Sequence, residues 1–391
     1  MNTLTLNIRW ATVSLIAAIL LVAMNLRVPF TAVAPVLPWI QHDFSLSTSA
    51  VGLLTSLPLL AFAAFSPFAA SIAARFGLER TVLGALGVIA AGVAIRSGGS
   101  TWALYGGTVL IGAGIALGNV LLPSLIKRDF PAHLVSLTGA YSITMGAAGA
   151  IGSAAVIPLT QAWGWSAALA MFVIVPLVAL LAWLPQLNKQ GKAASATKLQ
   201  GASVSVWRSP LAWQVSLFMG LNAMPFYIAV GWLPTILMEH GISATAAGSL
   251  HGTLQLATAV PGLFMAVILR RMKDQRAAAV IASSLSAISL LGLMLAPSMA
   301  LLWSVLLGFG CGASMILGLT FIGLRTTNAR DAAALSGMAQ CIGYLMAAAG
   351  PMILGGLHDV FGDWSTPLLI ASMLTLLGAW SGMLAGRAVH L

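Results

Sequence analysis

Within a long apolar run near the start of the chain stands a single arginine, Arg27. An ionised side chain inside a bilayer costs about 2.5–3.5 kcal/mol on insertion scales, so a chain that retains one there usually has a use for it. Counted from residue 11, Arg27 is roughly 24 Å into the run at about 1.5 Å per residue, too deep to reach back easily to the surface where the run begins. Its planar guanidinium offers forked donors to an anion or to a small electron-rich ring. The bland alternative is an arginine that bonds helix-end carbonyls or reaches the outer interface. His251 and Gln255 form a second constellation, one helical turn apart on one face. An imidazole in a span can bind substrate or couple transport to protons, or it can be a neutral ring with satisfied bonds. Asn119, Asn222, Gln340 and Tyr344 are further polar candidates, and Tyr141 and Tyr227 could stack on a heterocycle. Interhelical bonding and packing are the structural alternatives for all six.

These groups must be held by membrane spans. Of 391 residues, 59% are hydrophobic and only 7% charged, against roughly 25% charged in soluble domains. Twelve apolar runs are long enough to cross a bilayer, at about 11–37, 50–72, 81–98, 102–124, 135–158, 166–184, 211–235, 246–269, 277–296, 300–323, 333–354 and 366–386. Charge provides a check independent of that count. With the N-terminus inside, the cytoplasmic gaps and termini hold 16 of the 18 Lys and Arg residues, leaving only Arg27 and Arg96. The opposite gaps hold no cation but contain Asp43, Glu239, Asp359 and Asp363. The positive-inside rule thus predicts twelve spans with both termini cytoplasmic. Arg96, at the end of the third span, is expected to snorkel to the interface.

The net charge of +10 is spread over short loops, so it marks topology and not a nucleic-acid partner. No Gly-x-x-x-x-Gly-Lys loop is present for ATP. No metal-ligand spacing, catalytic carboxylate pair or disulfide framework is apparent, since Cys311 and Cys341 lie in apolar segments. No cofactor, metal, catalytic residue or obligate protein partner is therefore expected. The expected partners are a small-molecule substrate and the lipid bilayer, and a membrane-embedded enzyme is the disfavoured alternative class.

The two halves of the chain repeat. Pro29 and Pro225 stand 196 residues apart, and the same offset pairs Ser47 with Ser243, Gly52 with Gly248, Arg75 with Arg271, Arg80 with Arg276, Gly112 with Gly308 and Gly114 with Gly310. A two-residue slip then pairs Gly139 with Gly337. Six spans per half make the repeats parallel, with a substrate site at their interface near the midplane. The expected division is a six-helix bundle over 1–185, a cytoplasmic linker over 186–210 and a second bundle over 211–391. Pro29, Pro35, Pro38, Pro225 and Pro234 offer places to bend in the first and seventh spans.

This plan, with Arg75, Gly77 and Arg80 in the loop after the second span, resembles the major facilitator superfamily. The chain departs from the family's loop pattern at Ala74, where the family carries an Asp that supports a cytoplasmic latch. The strings NLRVPFTAVAPVLP (25–38), GNVLLPSLIKRDFP (118–131), GSLHGTLQLATAVPG (248–262) and ALSGMAQ (334–340) are similar to its cyanate/2-nitroimidazole transporter branch. The resemblance implies an all-α fold of twelve helices in the bacterial inner membrane, working by alternating access. It implies export of a small planar solute of the 2-nitroimidazole kind, with cyanate or another small anion as the alternative. Because spans one, four, seven and ten line the path in that family, Asn119 and Asn222 gain weight. Arg75, Gly77, Arg80, Arg271 and Arg276 become candidates for a gating loop. Proton-driven drug exporters of the superfamily bury a carboxylate. None of the eight acids here lies inside a predicted span, so His251 or the substrate is left to carry any coupled proton.

Overall fold

The computed structural model describes residues 3–130, 133–188, 206–327 and 329–390. It is helical throughout, and ten stretches are long and apolar enough to cross a membrane. One of them, Leu137–Leu187, contains two crossings: α7 (Leu134–Met171) turns sharply at Gly164, whose φ of +79° is one that L side chains avoid, and α8 (Ile174–Trp183) completes the sixth span. The eighth crossing is broken into α10 (Ala244–Ala257), a short 3-10 turn at Val260–Leu263 and α11 (Met265–Arg271), so it falls below the length of a single helix. With both counted, the chain crosses twelve times.

The first span is also broken: α1 (Thr3–Asn25) is followed by α2 (Val28–Thr31), a 3-10 turn at Ala34–Val36 and α3 (Leu37–Phe44). Pro29, Pro35 and Pro38 each occupy a first turn, where the missing N–H is harmless. The seventh span departs from expectation, because α9 (Pro210–Glu239) runs unbroken through Pro225 and Pro234. The eighth departs in the opposite sense, breaking at Pro261 where one helix was expected. The remaining spans are single helices: α4 (Thr48–Phe76), α5 (Leu78–Arg96), α6 (Thr101–Asp129), α12 (Arg276–Leu295), α13 (Ala300–Leu324), α14 (Ala329–Phe361) and α15 (Ser365–Ala385). Most of the 186–210 linker lies outside the described residues.

The repeat reappears in the packing. Ser47 and Ser243 cap the second and eighth spans, each hydroxyl accepting from the N–H three residues on. A Cβ on Gly112 would lie 2.8 Å from Pro58 Cα, and one on Gly308 would lie 2.7 Å from Ala257 Cβ. The two glycines therefore let the fourth and tenth spans touch the second and eighth backbone to backbone. Large apolar side chains such as Leu181, Leu301, Met315 and Ile151 are more than half exposed around the rim. A surface so apolar suits lipid and not water.

The charged residues sort to opposite ends of the bundle. At the acidic end, Asp43 accepts from Trp165 Nε1 at 2.5 Å, His358 and Glu239 lie 3.3 Å apart, and Asp359 bonds the start of α4. The other end carries the cations. There Arg128 pairs with Asp129 at 2.6 Å and with Glu79 at 2.7 Å, and these bonds hold its guanidinium above the ordinary arginine range. In the second half Arg325 donates to Gln275 Oε1 at 2.7 Å, and its burial pulls it below that range. Glu79 and Gln275 stand at the repeat offset of 196.

The halves meet where α4 packs on α14 and α7 packs on α10. A Cβ on Gly52 of α4 would lie 2.7 Å from Pro351 O of α14, and one on Gly248 of α10 would lie 2.8 Å from Ser153 O of α7. A Cβ on Gly139 of α7 or on Gly337 of α14 would meet nothing within 4 Å.

Candidate functional site

Arg27 sits at the break in the first span. The turn Asn25–Leu26–Arg27 closes with i−3 hydrogen bonds to Ala23 and Met24, and the helix restarts at Val28. The break turns Arg27 away from its neighbour: Asn25 is buried, bonding Leu21 O at 2.8 Å and Val175 O at 3.4 Å. Arg27 instead faces the second half, with Cζ 4.9 Å from the centre of the Phe226 ring, a cation–π distance. Tyr141, Tyr227 and Tyr344 all lie within electrostatic range of it. Ring contacts line the neighbourhood: Phe226 to Tyr227 at 5.0 Å and Phe62 to Tyr344 at 5.8 Å, both edge-on, and Phe30 to Tyr227, tilted, at 6.1 Å. The aromatic residues come from spans one, two, five, seven and eleven, hence from both halves.

His251 and Gln255 belong to the same neighbourhood. The position of a Cβ on Gly149 lies 2.9 Å from Arg27 Cγ and 3.7 Å from Gln255 Cγ, so Gly149 leaves room for both. His251 is fully buried, with Nδ1 3.0 Å from Ser153 Oγ and Nε2 3.4 Å from Gln255 Nε2. Ser153 in turn donates to Thr31 O at 3.3 Å. With the amide oriented this way Gln255 donates, so His251 is neutral and carries its proton on Nδ1. Arg27 Nε and Gln255 Oε1 are a buried donor and a buried acceptor without partners. Together they offer a planar ligand one group of each kind.

Other candidates lie apart. Asn222 is engaged within the second half: it donates to Phe218 O at 2.9 Å and accepts from Ser314 at 3.2 Å, tying α9 to α13. Gln340 is exposed and bonds Ser336 on its own helix, one turn from Tyr344. Asn119 is half-buried on α6 with no hydrogen bond among the described residues. Arg75 is exposed over Phe76, Arg80 and Arg271 are exposed, and Arg276 pairs with Asp274 at 3.5 Å. Gly77, with φ of +90°, ends α4. Among the described residues none of these five bonds across the halves. Arg96 is a correction. It does not snorkel but is 1% exposed and donates from Nη1 to Pro29 O at 2.6 Å, because the broken first span frees that carbonyl beside it. Phe226, Thr31 and Ser153 were not expected. Only the repeated Pro-Phe at 29–30 and 225–226 marked the first of them.

A twelve-span bundle in two six-helix halves, with a cationic, aromatic cluster where the halves meet, defines a membrane carrier. The chain belongs to the Major Facilitator Superfamily, whose model matches residues 15–348. It is 55% identical over 374 residues to the 2-nitroimidazole transporter of Escherichia coli (strain K12), spanning 95% of both chains. It is 28% identical over 353 residues to the cyanate transport protein CynX of the same organism, spanning 90% of this chain and 91% of that one. Among solved structures, its fold matches a bacterial homolog of the human lysosomal transporter Spinster in an inward-facing, unoccupied conformation, with a TM-score of 0.75 at 17% identity over 96% and 97% of the two chains.

Proposed function

We propose that the chain exports small planar heterocycles of the 2-nitroimidazole kind across the bacterial inner membrane. The observation that carries this reading is the Arg27 guanidinium ringed by Phe226, Tyr141, Tyr227 and Tyr344 where the two halves meet. The rings cover the faces of a flat ligand, and the guanidinium and Gln255 Oε1 bond its edge. The 55% identity to a 2-nitroimidazole transporter supports the same substrate class. The halves rock about the site, with the cationic end and both termini in the cytoplasm as the positive-inside rule requires. His251 is the proton-coupling candidate: a proton taken up at Nε2 displaces the Gln255 amide and so reshapes the site.

A small anion such as cyanate is the second reading, favoured by a cavity cation that has no carboxylate partner among the described residues. Flux into proteoliposomes separates the two. Saturable 2-nitroimidazole flux that Arg27→Gln abolishes supports the first reading, and saturable cyanate flux alone replaces it with the second.

A further inference from the structure

Arg96 presents a different problem from Arg27. It closes α5 in the interior of the bundle, and its one hydrogen bond, from Nη1 to Pro29 O, leaves Nε and Nη2 buried without partners. Those two nitrogens form one edge of the guanidinium, the fork that grips an anion with two parallel donors. No ion pair among the described residues includes Arg96. Beside it runs a narrow cavity of about 20 Å³, lined by Pro29, Thr55, Pro58, Thr108, Ile111 and, from α9 of the other half, Gly231. Such a volume holds a particle the size of one water.

We propose that this cavity is a binding site for a small monovalent inorganic anion of the halide class. Charge decides between a halide and a water. A water satisfies the two donors but leaves a buried cation uncompensated, which is the costly part of burying it. A halide meets both needs at the available size. Thr55 and Thr108 currently donate to Gly52 O and Leu104 O on their own helices. A hydroxyl hydrogen rotates, so either threonine can turn its donor to the ion. The site lies on the seam between the halves, since the position of a Cβ on Gly231 is 3.1 Å from Thr55 Oγ1. Occupancy is therefore linked to closure of the acidic end. The site is separate from the Arg27 cavity and does not depend on what is transported there.

Scanning fluorimetry of the purified protein tests this, with sodium gluconate exchanged for chloride or bromide at constant ionic strength. Wild type should show a saturable rise in Tm of roughly 2–4 °C with either halide. The rise should vanish in Arg96→Gln and persist in Arg27→Gln. A flat response in wild type overturns the proposal. So does a rise that survives in Arg96→Gln or is lost in Arg27→Gln, which would place the ion at the substrate cavity. Should Arg96→Gln not fold, anomalous diffraction from bromide-soaked wild-type crystals decides. A peak against Arg96 Nε and Nη2 supports the site, and none at saturating bromide refutes it.

Discussion

A guanidinium beside aromatic faces grips a planar ligand by its edge while the rings hold its plane, and each contact fails differently on substitution. Arg27→Gln keeps much of the side chain's length and removes the charge. Hydrogen bonds to charged groups contribute about 1.5–3 kcal/mol, so the apparent affinity for a nitroimidazole should fall roughly 10–100-fold. Arg27→Lys should recover part of it, because a point charge replaces the fork. Competition binding with the folded variants measures both, and unchanged affinity in Arg27→Gln would make the residue structural. His251 is tested by pH and not by affinity. If it carries the coupled proton, His251→Asn retains downhill flux but loses the acceleration that a pH gradient gives wild type. Acceleration that persists assigns the proton to the substrate. The legible and illegible parts of the site differ for a physical reason. Arg27, His251 and Gln255 announced themselves because charge and polarity are expensive in lipid. Ser153, Thr31 and Phe226 did not, because hydroxyls and rings in apolar runs are ordinary there, and which helix they meet is not written in one sequence. Asn222 shows the converse, a polar residue spent on joining helices.

Helix ends explain how the two bundles are clasped. The first turn of α4 leaves backbone N–H groups unsatisfied, and Asp359 of α14 takes two of them, bonding Thr48 N at 3.0 Å and Ser49 N at 2.8 Å, with Ser49 Oγ at 2.7 Å. A carboxylate at a helix N-terminus is favoured by the dipole as well. Asp359→Asn should therefore loosen the acidic-end seam and shift the open–closed equilibrium there by about tenfold. Double electron–electron resonance between labels at His42 and Ser365, with Cys311 and Cys341 replaced, should show a longer-distance population growing in the variant. An unchanged distribution would remove Asp359 from the clasp. The twelve crossings were readable from hydropathy, and the sorting of acids and cations to opposite ends from the loops. Where a helix breaks was not. Prolines alone predicted bends in the first and seventh spans, yet the seventh stays whole and the eighth breaks at Pro261. A proline removes one bond wherever it stands, and whether the helix yields depends on neighbours a single sequence does not reveal. Arg96 was misplaced for the same reason, since a residue at the end of a span looks interfacial until another span is found to cover it.

Alternating access requires that the seam closed here must open and that the cationic end must close in turn. The repeat supplies positions with opposite requirements. Gly52 lies in the closed seam, where a Cβ would stand 2.7 Å from Pro351 O, so Gly52→Val cannot be accommodated in this conformation without moving α4 away from α14. Gly337 of α14 has nothing within 4 Å of such a Cβ, so Gly337→Val fits here and obstructs only the conformation in which the cationic end has closed. The first variant should therefore accumulate open at the acidic end and the second should remain as described, and both should transport slowly while folding well. Labelling of a cysteine at Tyr344 by a membrane-impermeant thiol reagent separates them in right-side-out and inside-out vesicles. Gly52→Val should raise labelling from the acidic face, and Gly337→Val should confine it to the cationic face. If both variants label alike from both faces, the halves do not rock about this seam, and a site built from residues of each half would need some other way of facing the two sides in turn.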